Sequence, residues 1–203
     1  MTRTVRDAAF DVLRERDLTT IFANPGSTEV SLLAGLPDDL RFVLGLHEGT
    51  VVGMATGWAI GRDAPAMVIL HTTAGLGNGV AALATARVNR APLVVLVGQQ
   101  DRRHLVQEPF LAGRLRGLAG DYPVAYEEPV RPQDVPGALA RAYHGARASS
   151  RNSTSSPTAS GSAWAARSTR AGAASSCGSG AGASQSSIGT ATSAGPRAAR
   201  APW

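Results

Sequence analysis

Over the first 146 residues the apolar positions switch repeatedly between a helical and an extended period. Val5, Ala8, Ala9, Val12 and Leu13 form a stripe at the spacing of one helix face. The apolar run 20–23 predicts a strand, closed by the turn composition of Asn24-Pro25-Gly26-Ser27. Ser27 is placed to cap a helix carrying Val30, Leu32 and Leu33. Pro37-Asp38-Asp39 marks a turn, and 41–46 reads as the next strand. A helix rich in Val, Ala and small residues spans 48–60 and stops at Gly61-Arg62-Asp63. Then come a strand at 66–70, a glycine loop at 75–79, a helix over 80–88 and a strand at 93–97. Residues 99–122 are less regular and read as a loop with a helix over 109–118; Val124-Ala125-Tyr126 reads as a short strand. Pro132 suits a helix start, and that helix runs to about Ala146.

Continuously apolar strands belong to parallel sheets covered on both faces. Strands alternating with helices indicate an α/β fold with a doubly wound, mainly parallel sheet and helices on both faces. Such sheets bind ligands at the carboxyl ends of their strands. Three polar segments lie at such ends: Asn24 to Ser27, His47-Glu48, and His71 to Gly79.

From residue 147 the text changes. Residues 147–203 are mostly Ser, Ala, Gly, Thr, Pro and Arg, with no Leu, Val, Phe, Tyr or Met. Such a segment cannot bury a core, so a low-complexity disordered tail is expected after a folded domain at 1–146. An alternative origin for this composition is a shifted reading frame in a GC-rich gene, in keeping with a chain whose cations are all Arg. The charge divides at the same point. Residues 1–146 hold 14 Arg against all 15 acids, and the tail holds six Arg and no acid. The domain is therefore nearly neutral, which gives no support for nucleic-acid binding. Cys177 is the only cysteine, so no internal disulfide forms. Without a signal-peptide core or an apolar run of about 20 residues, neither secretion nor membrane insertion is indicated, and a cytoplasmic location is expected.

Each polar segment has two readings. Glu48 is either a first-turn glutamate favoured by the helix dipole or a desolvated carboxylate able to share a proton with a ring nitrogen. His71 either hydrogen-bonds a neighbouring loop or transfers protons. The glycines at 75, 77 and 79 either permit close packing or bind an anion at a helix start. They depart from a dinucleotide fingerprint, because the third glycine position holds Val80. Ser27 caps a helix, binds a carboxylate, or does both.

Taken together these segments resemble the N-terminal, pyrimidine-binding domain of thiamine-diphosphate enzymes, in the benzoylformate decarboxylase branch. The resemblance covers roughly 4–146 and rests on Asn24-Pro25-Gly26-Ser27, Glu48 opening a Val-Val-Gly-Met-Ala helix, His71 before Ala74-Gly75-Leu76-Gly77-Asn78, and Ala91-Pro92-Leu93 leading to Val97-Gly98-Gln99-Gln100. It implies that Glu48 hydrogen-bonds the aminopyrimidine ring and promotes its imino tautomer. It implies a 2-keto acid substrate whose carboxylate Ser27 holds and for which His71 shuttles a proton. Pro25, Gly26 and Asn78 would line the cofactor site. His47 stands where the benzoylformate decarboxylase pattern has glutamine, which blurs the substrate, and acetolactate synthase-like members share much of the pattern. The family's diphosphate and magnesium are bound by a separate domain with a Gly-Asp-Gly…Asn motif, absent here, so no metal site is expected in this chain. The resemblance thus implies a truncated enzyme, inactive alone, that completes its site with a homo-oligomeric or separate chain carrying that domain. The sheet is also expected to have an open edge, since the strand that should follow the last helix is missing.

Overall fold

The computed structural model describes residues 3–151. Four parallel strands are ordered β2-β1-β3-β4, where β1 is Thr20–Asn24, β2 Arg41–Leu44, β3 Ala66–Leu70 and β4 Leu93–Val97. The helices are α1 (Val5–Glu15), α2 (Val30–Leu33), α3 (Glu48–Arg62), α4 (Thr72–Val88), α5 (Arg102–Leu105) and α6 (Val135–Arg151), the last preceded by a 3₁₀ turn at Pro132–Asp134. The doubly wound α/β fold expected from the apolar pattern is what forms.

Side chains alternate between two cores, as the period of a strand requires. Ile21, Ala23, Met67, Ile69 and Val94 point to the face covered by Phe10 and Leu13 of α1 and Leu139 and Ala146 of α6. Phe22, Val68 and Leu70 point to the other face, against Val51, Val52, Ala55 and Ala59 of α3 and Leu76 of α4. Phe22 meets Trp58 of α3 edge-on, with ring centroids 5.8 Å apart. The helix α1 starts with a capping box, in which Thr4 and Asp7 satisfy each other's backbone N–H groups.

Several boundaries differ from expectation. β2 ends two residues early, at Leu44. Its neighbour β1 turns away at Pro25, so the ladder closes with the Gly45 N–H donating to Ala23 O at 3.0 Å. The region read as a glycine loop is helical, and α4 begins at Thr72 instead of Val80. Gly75 and Gly79 lie on the face of α4 that meets β3. A Cβ on Gly75 would come within 3.3 Å of the Leu70 carbonyl carbon, and one on Gly79 within 3.3 Å of Leu70 Cδ1. The glycines serve close helix–strand packing, and the amides that an anion site would need are committed to the helix.

No helix forms over 109–118 and no strand at 124–126. Gly117 and Gly120 take left-handed backbone angles (φ 82° and 56°), and Leu115 and Ala119 are tucked into the α3/α4 core from a series of turns. The Gln99 side chain holds this segment by donating to Gly113 O and accepting from Gly113 N–H, at 2.7 and 3.2 Å. The last helix runs past Ala146 to Arg151, so 147–151 belong to α6 and not to a tail. Of the tail expected over 147–203, with its disorder or altered reading frame, 152–203 lie outside the described residues. Among the described residues β2 and β4 are the two sheet edges, and no helix is long and apolar enough to cross a membrane.

Candidate active site

Strand order places the site. From β1 the chain crosses to β2 on one side, and from β3 it crosses to β4 on the other. The carboxyl ends of β1 and β3, which are direct neighbours, therefore flank the switch point where open α/β sheets hold ligands. Two polar networks bridge these ends.

The first is centred on Glu48, which opens α3 and is only 8% exposed. Asn24, the last residue of β1, donates from Nδ2 to Glu48 Oε1 at 3.0 Å. Asn78, in the second turn of α4, donates from Nδ2 to Oε2 at 3.1 Å. No cation pairs with this carboxylate among the described residues. A buried carboxylate held only by neutral amides retains lone pairs for a further donor. The preceding residue, His47, is exposed and caps α3, its Nδ1 accepting from Gly49 N–H at 3.0 Å.

The second network joins His71, at the end of β3, to the turn after β1. Glu29 is 2% exposed. Its Oε2 accepts from Gly26 N–H at 2.7 Å and lies 2.9 Å from His71 Nδ1. Thr28 Oγ1 donates to the other carboxylate oxygen and lies 3.1 Å from the same His71 nitrogen. Glycines enclose the pair on both sides. A Cβ on Gly26 would meet the His71 ring at 2.5 Å, and one on Gly98, just beyond β4, would fall 1.4 Å from Glu29 Oε1. Thr72, fully buried behind His71, has φ 45°. A β-branched residue in the left-handed region is strained by about 1–3 kcal/mol, a cost found mainly at functional sites.

Of the residues singled out in the sequence, the structure joins Glu48 to Asn78, and His71 to Gly26. Ser27 is exposed and is not the cap of α2. The turn begins at Gly26, whose carbonyl accepts from Glu29 N–H, and the Glu29 side chain reaches back to the Gly26 N–H. That is the reciprocal half of a capping box, and the Ser27 hydroxyl has no hydrogen-bond partner among the described residues. Pro25 lines an apolar groove beside β2 with Val30, Leu33, Ala34, Leu36 and Phe42. Sequence reasoning missed Glu29, Thr28 and Asn24 as network members. The available signal was an acid directly after the turn that closes the first strand. No group of three or more His, Cys, Asp or Glu among the described residues could hold a metal ion.

Residues 3–113 match the family described as thiamine pyrophosphate enzyme, N-terminal TPP binding domain. The chain is 46% identical over 141 residues to benzoylformate decarboxylase of Pseudomonas aeruginosa, covering 69% of this chain and 27% of that protein. It is 31% identical over 106 residues to the chloroplastic acetolactate synthase of Arabidopsis thaliana, covering 51% and 16%. The solved thiamine diphosphate-dependent 4-hydroxybenzoylformate decarboxylase of Rhodococcus jostii superposes with a TM-score of 0.69 at 41% identity, covering 71% of this chain and 28% of that one. The chain thus spans about a quarter of the length of the decarboxylases it matches.

Proposed function

Since the chain belongs to the thiamine pyrophosphate enzymes and carries their N-terminal cofactor-binding domain, we propose that it supplies the pyrimidine-binding wall of a 2-keto acid decarboxylase site. The observation that carries this reading is Glu48: a buried carboxylate with no cationic partner among the described residues, fixed by two side-chain amides at the switch point. Those residues fit an aminopyrimidine. Glu48 has a free carboxyl lone pair or proton position with which to share a proton with a ring nitrogen, and Asn24 and Asn78 hold its two oxygens in place. When bound, thiamine diphosphate supplies the nucleophilic carbon and the electron sink for loss of carbon dioxide.

Around it, the exposed Ser27 hydroxyl holds the substrate carboxylate. His71 moves a proton at the reacting centre, and Pro25, Gly26 and Asn78 line the cofactor wall. The wall binds only the pyrimidine end. Diphosphate and magnesium fall to a diphosphate-binding domain on a separate partner chain, and the chain alone is inactive. The similarity to acetolactate synthase favours carboligation as a second reading, in which the same wall serves another fate of the 2-keto acid.

Isothermal calorimetry of the chain with thiamine diphosphate, with and without magnesium, tests this directly. The expected result is weak, magnesium-independent binding that Glu48→Gln reduces at least tenfold, with no turnover of benzoylformate. Binding that Glu48→Gln leaves unchanged, or that depends on magnesium, would refute the assignment.

A further inference from the structure

We propose that Glu29 is the positioning residue of this site. Its carboxylate accepts from His71 Nδ1–H, locks that tautomer, and leaves Nε2 as the nitrogen that takes up and returns a proton. The inference deepens the reading of His71 as the proton-transfer group and rests on it for that step.

Three donors converge on Glu29. Gly26 N–H and His71 Nδ1 lie 2.7 and 2.9 Å from Oε2, and the Thr28 hydroxyl donates to Oε1. A fully buried carboxylate is tolerated as an ion when hydrogen bonds satisfy it, and here the imidazole completes the set. With the Thr28 hydroxyl proton committed to Glu29, Thr28 Oγ1, 3.1 Å from His71 Nδ1, can only accept from that nitrogen. Both contacts therefore require a proton on Nδ1. His71 Nε2 has no protein partner among the described residues, while the His71 side chain is 20% exposed. The pair has the logic of a carboxylate that orients a histidine base through one ring nitrogen while the other faces the chemistry.

The balance is simple. Nε2 takes up a proton from solvent water through its lone pair, the imidazolium so formed is paired with the Glu29 carboxylate through Nδ1–H, and that proton is delivered from Nε2 to the reacting substrate carbon, where the new C–H bond replaces the C–C bond lost with carbon dioxide. Water, as the proton source, is the one co-reactant. The enclosure by Gly26 and Gly98 explains why this geometry is held: any side chain at either position would displace the ring or the carboxylate.

The test is long-range ¹H–¹⁵N correlation spectroscopy on the full chain labelled with ¹⁵N-histidine, recorded at pH 8.5. His71 signals are identified by their loss in His71→Gln. The expected spectrum has a protonated, pyrrole-type Nδ1 and a pyridine-type Nε2. Glu29→Leu removes the acceptor, and the His71 signals then shift to a tautomer mixture; the exposed control Glu108→Gln leaves them in place. A pyridine-type Nδ1 in the wild-type chain would overturn the proposal without any variant, as would a Glu29→Leu chain that folds and keeps the locked tautomer. Neither readout involves thiamine diphosphate. Failure here is therefore distinct from failure of the calorimetry, which tests the cofactor reading.

Discussion

Replacing Gly98 by alanine is the sharpest structural probe of the buried network. An ideal Cβ at 98 would stand 1.4 Å from Glu29 Oε1 and 2.5 Å from Thr28 Oγ1. The obstructed atoms are the tips of side chains, so steric strain alone would be relieved by rotation. Rotation is what the network forbids cheaply. Glu29 is 2% exposed, and moving its carboxylate breaks at least one of the hydrogen bonds from Thr28, Gly26 and His71. A hydrogen bond to a charged group contributes about 1.5–3 kcal/mol, and a buried carboxylate short of one donor carries its desolvation penalty as well. The expected loss is therefore about 3 kcal/mol. For a chain of this size that lowers the melting temperature by about 6–12 °C. The internal standard is Gly53→Ala in α3, where a Cβ meets nothing within 4 Å and the helix gains about 1 kcal/mol from alanine's better propensity, raising the melting temperature by about 2–4 °C. Differential scanning calorimetry of both variants decides the matter. A Gly98→Ala chain that melts at or above the wild-type temperature would mean that Glu29 is not seated against Gly98.

Two further outcomes follow from the fold and its charges. Ile69→Ala, at a fully buried position in the central strand β3, leaves a cavity under α1 and α6 and costs about 3–4 kcal/mol, measurable as a lowered urea midpoint with an unchanged slope. Asp101 caps α5, and hydrogen bonds from the Arg103 guanidinium and then its backbone N–H pull its carboxyl from the ordinary 3.8 down to about 2. A depressed carboxylate stabilises the fold above its ordinary value and loses that contribution as pH falls through the folded one. α5 therefore loosens between about pH 4 and 2, and a carbon-detected carboxyl titration of Asp101 should move toward the ordinary value in Arg103→Ala.

The strands were the most legible part of the chain because burial on both faces leaves uninterrupted apolar runs. The runs 66–70 and 93–97 are strands over their whole length. The glycines of 75–79 misled because local preference and packing disagree there. Three glycines in five residues weaken an isolated helix, yet Gly75 and Gly79 are what allow α4 to lie against β3, and tertiary contact wins. Over 109–118 the disagreement ran the other way: an apolar pattern suggested a helix, but its buried residues are anchors, with Leu115 inserted from a turn and Gly113 pressed against Thr73 Oγ1 at 2.2 Å from a notional Cβ.

The site was legible where a residue's chemistry is unusual for its place, and illegible where it is ordinary. Glu48 and His71 stood out as polar groups at the ends of apolar strands. Glu29 did not, because an acid at the start of a helical segment is what helix electrostatics favours anyway, and a serine two residues earlier offered a simpler cap. Its role emerges only from neighbours distant in sequence: His71, 42 residues on, and Gly98, whose bare backbone leaves room for the carboxylate. The same residue does both jobs. Closing the turn at Gly26 fixes the carboxylate against the backbone, and that fixed carboxylate is what can hold an imidazole in one tautomer. A capping residue and a histidine-orienting residue need the same rigidity, so at this strand end local folding and site geometry are set by one side chain.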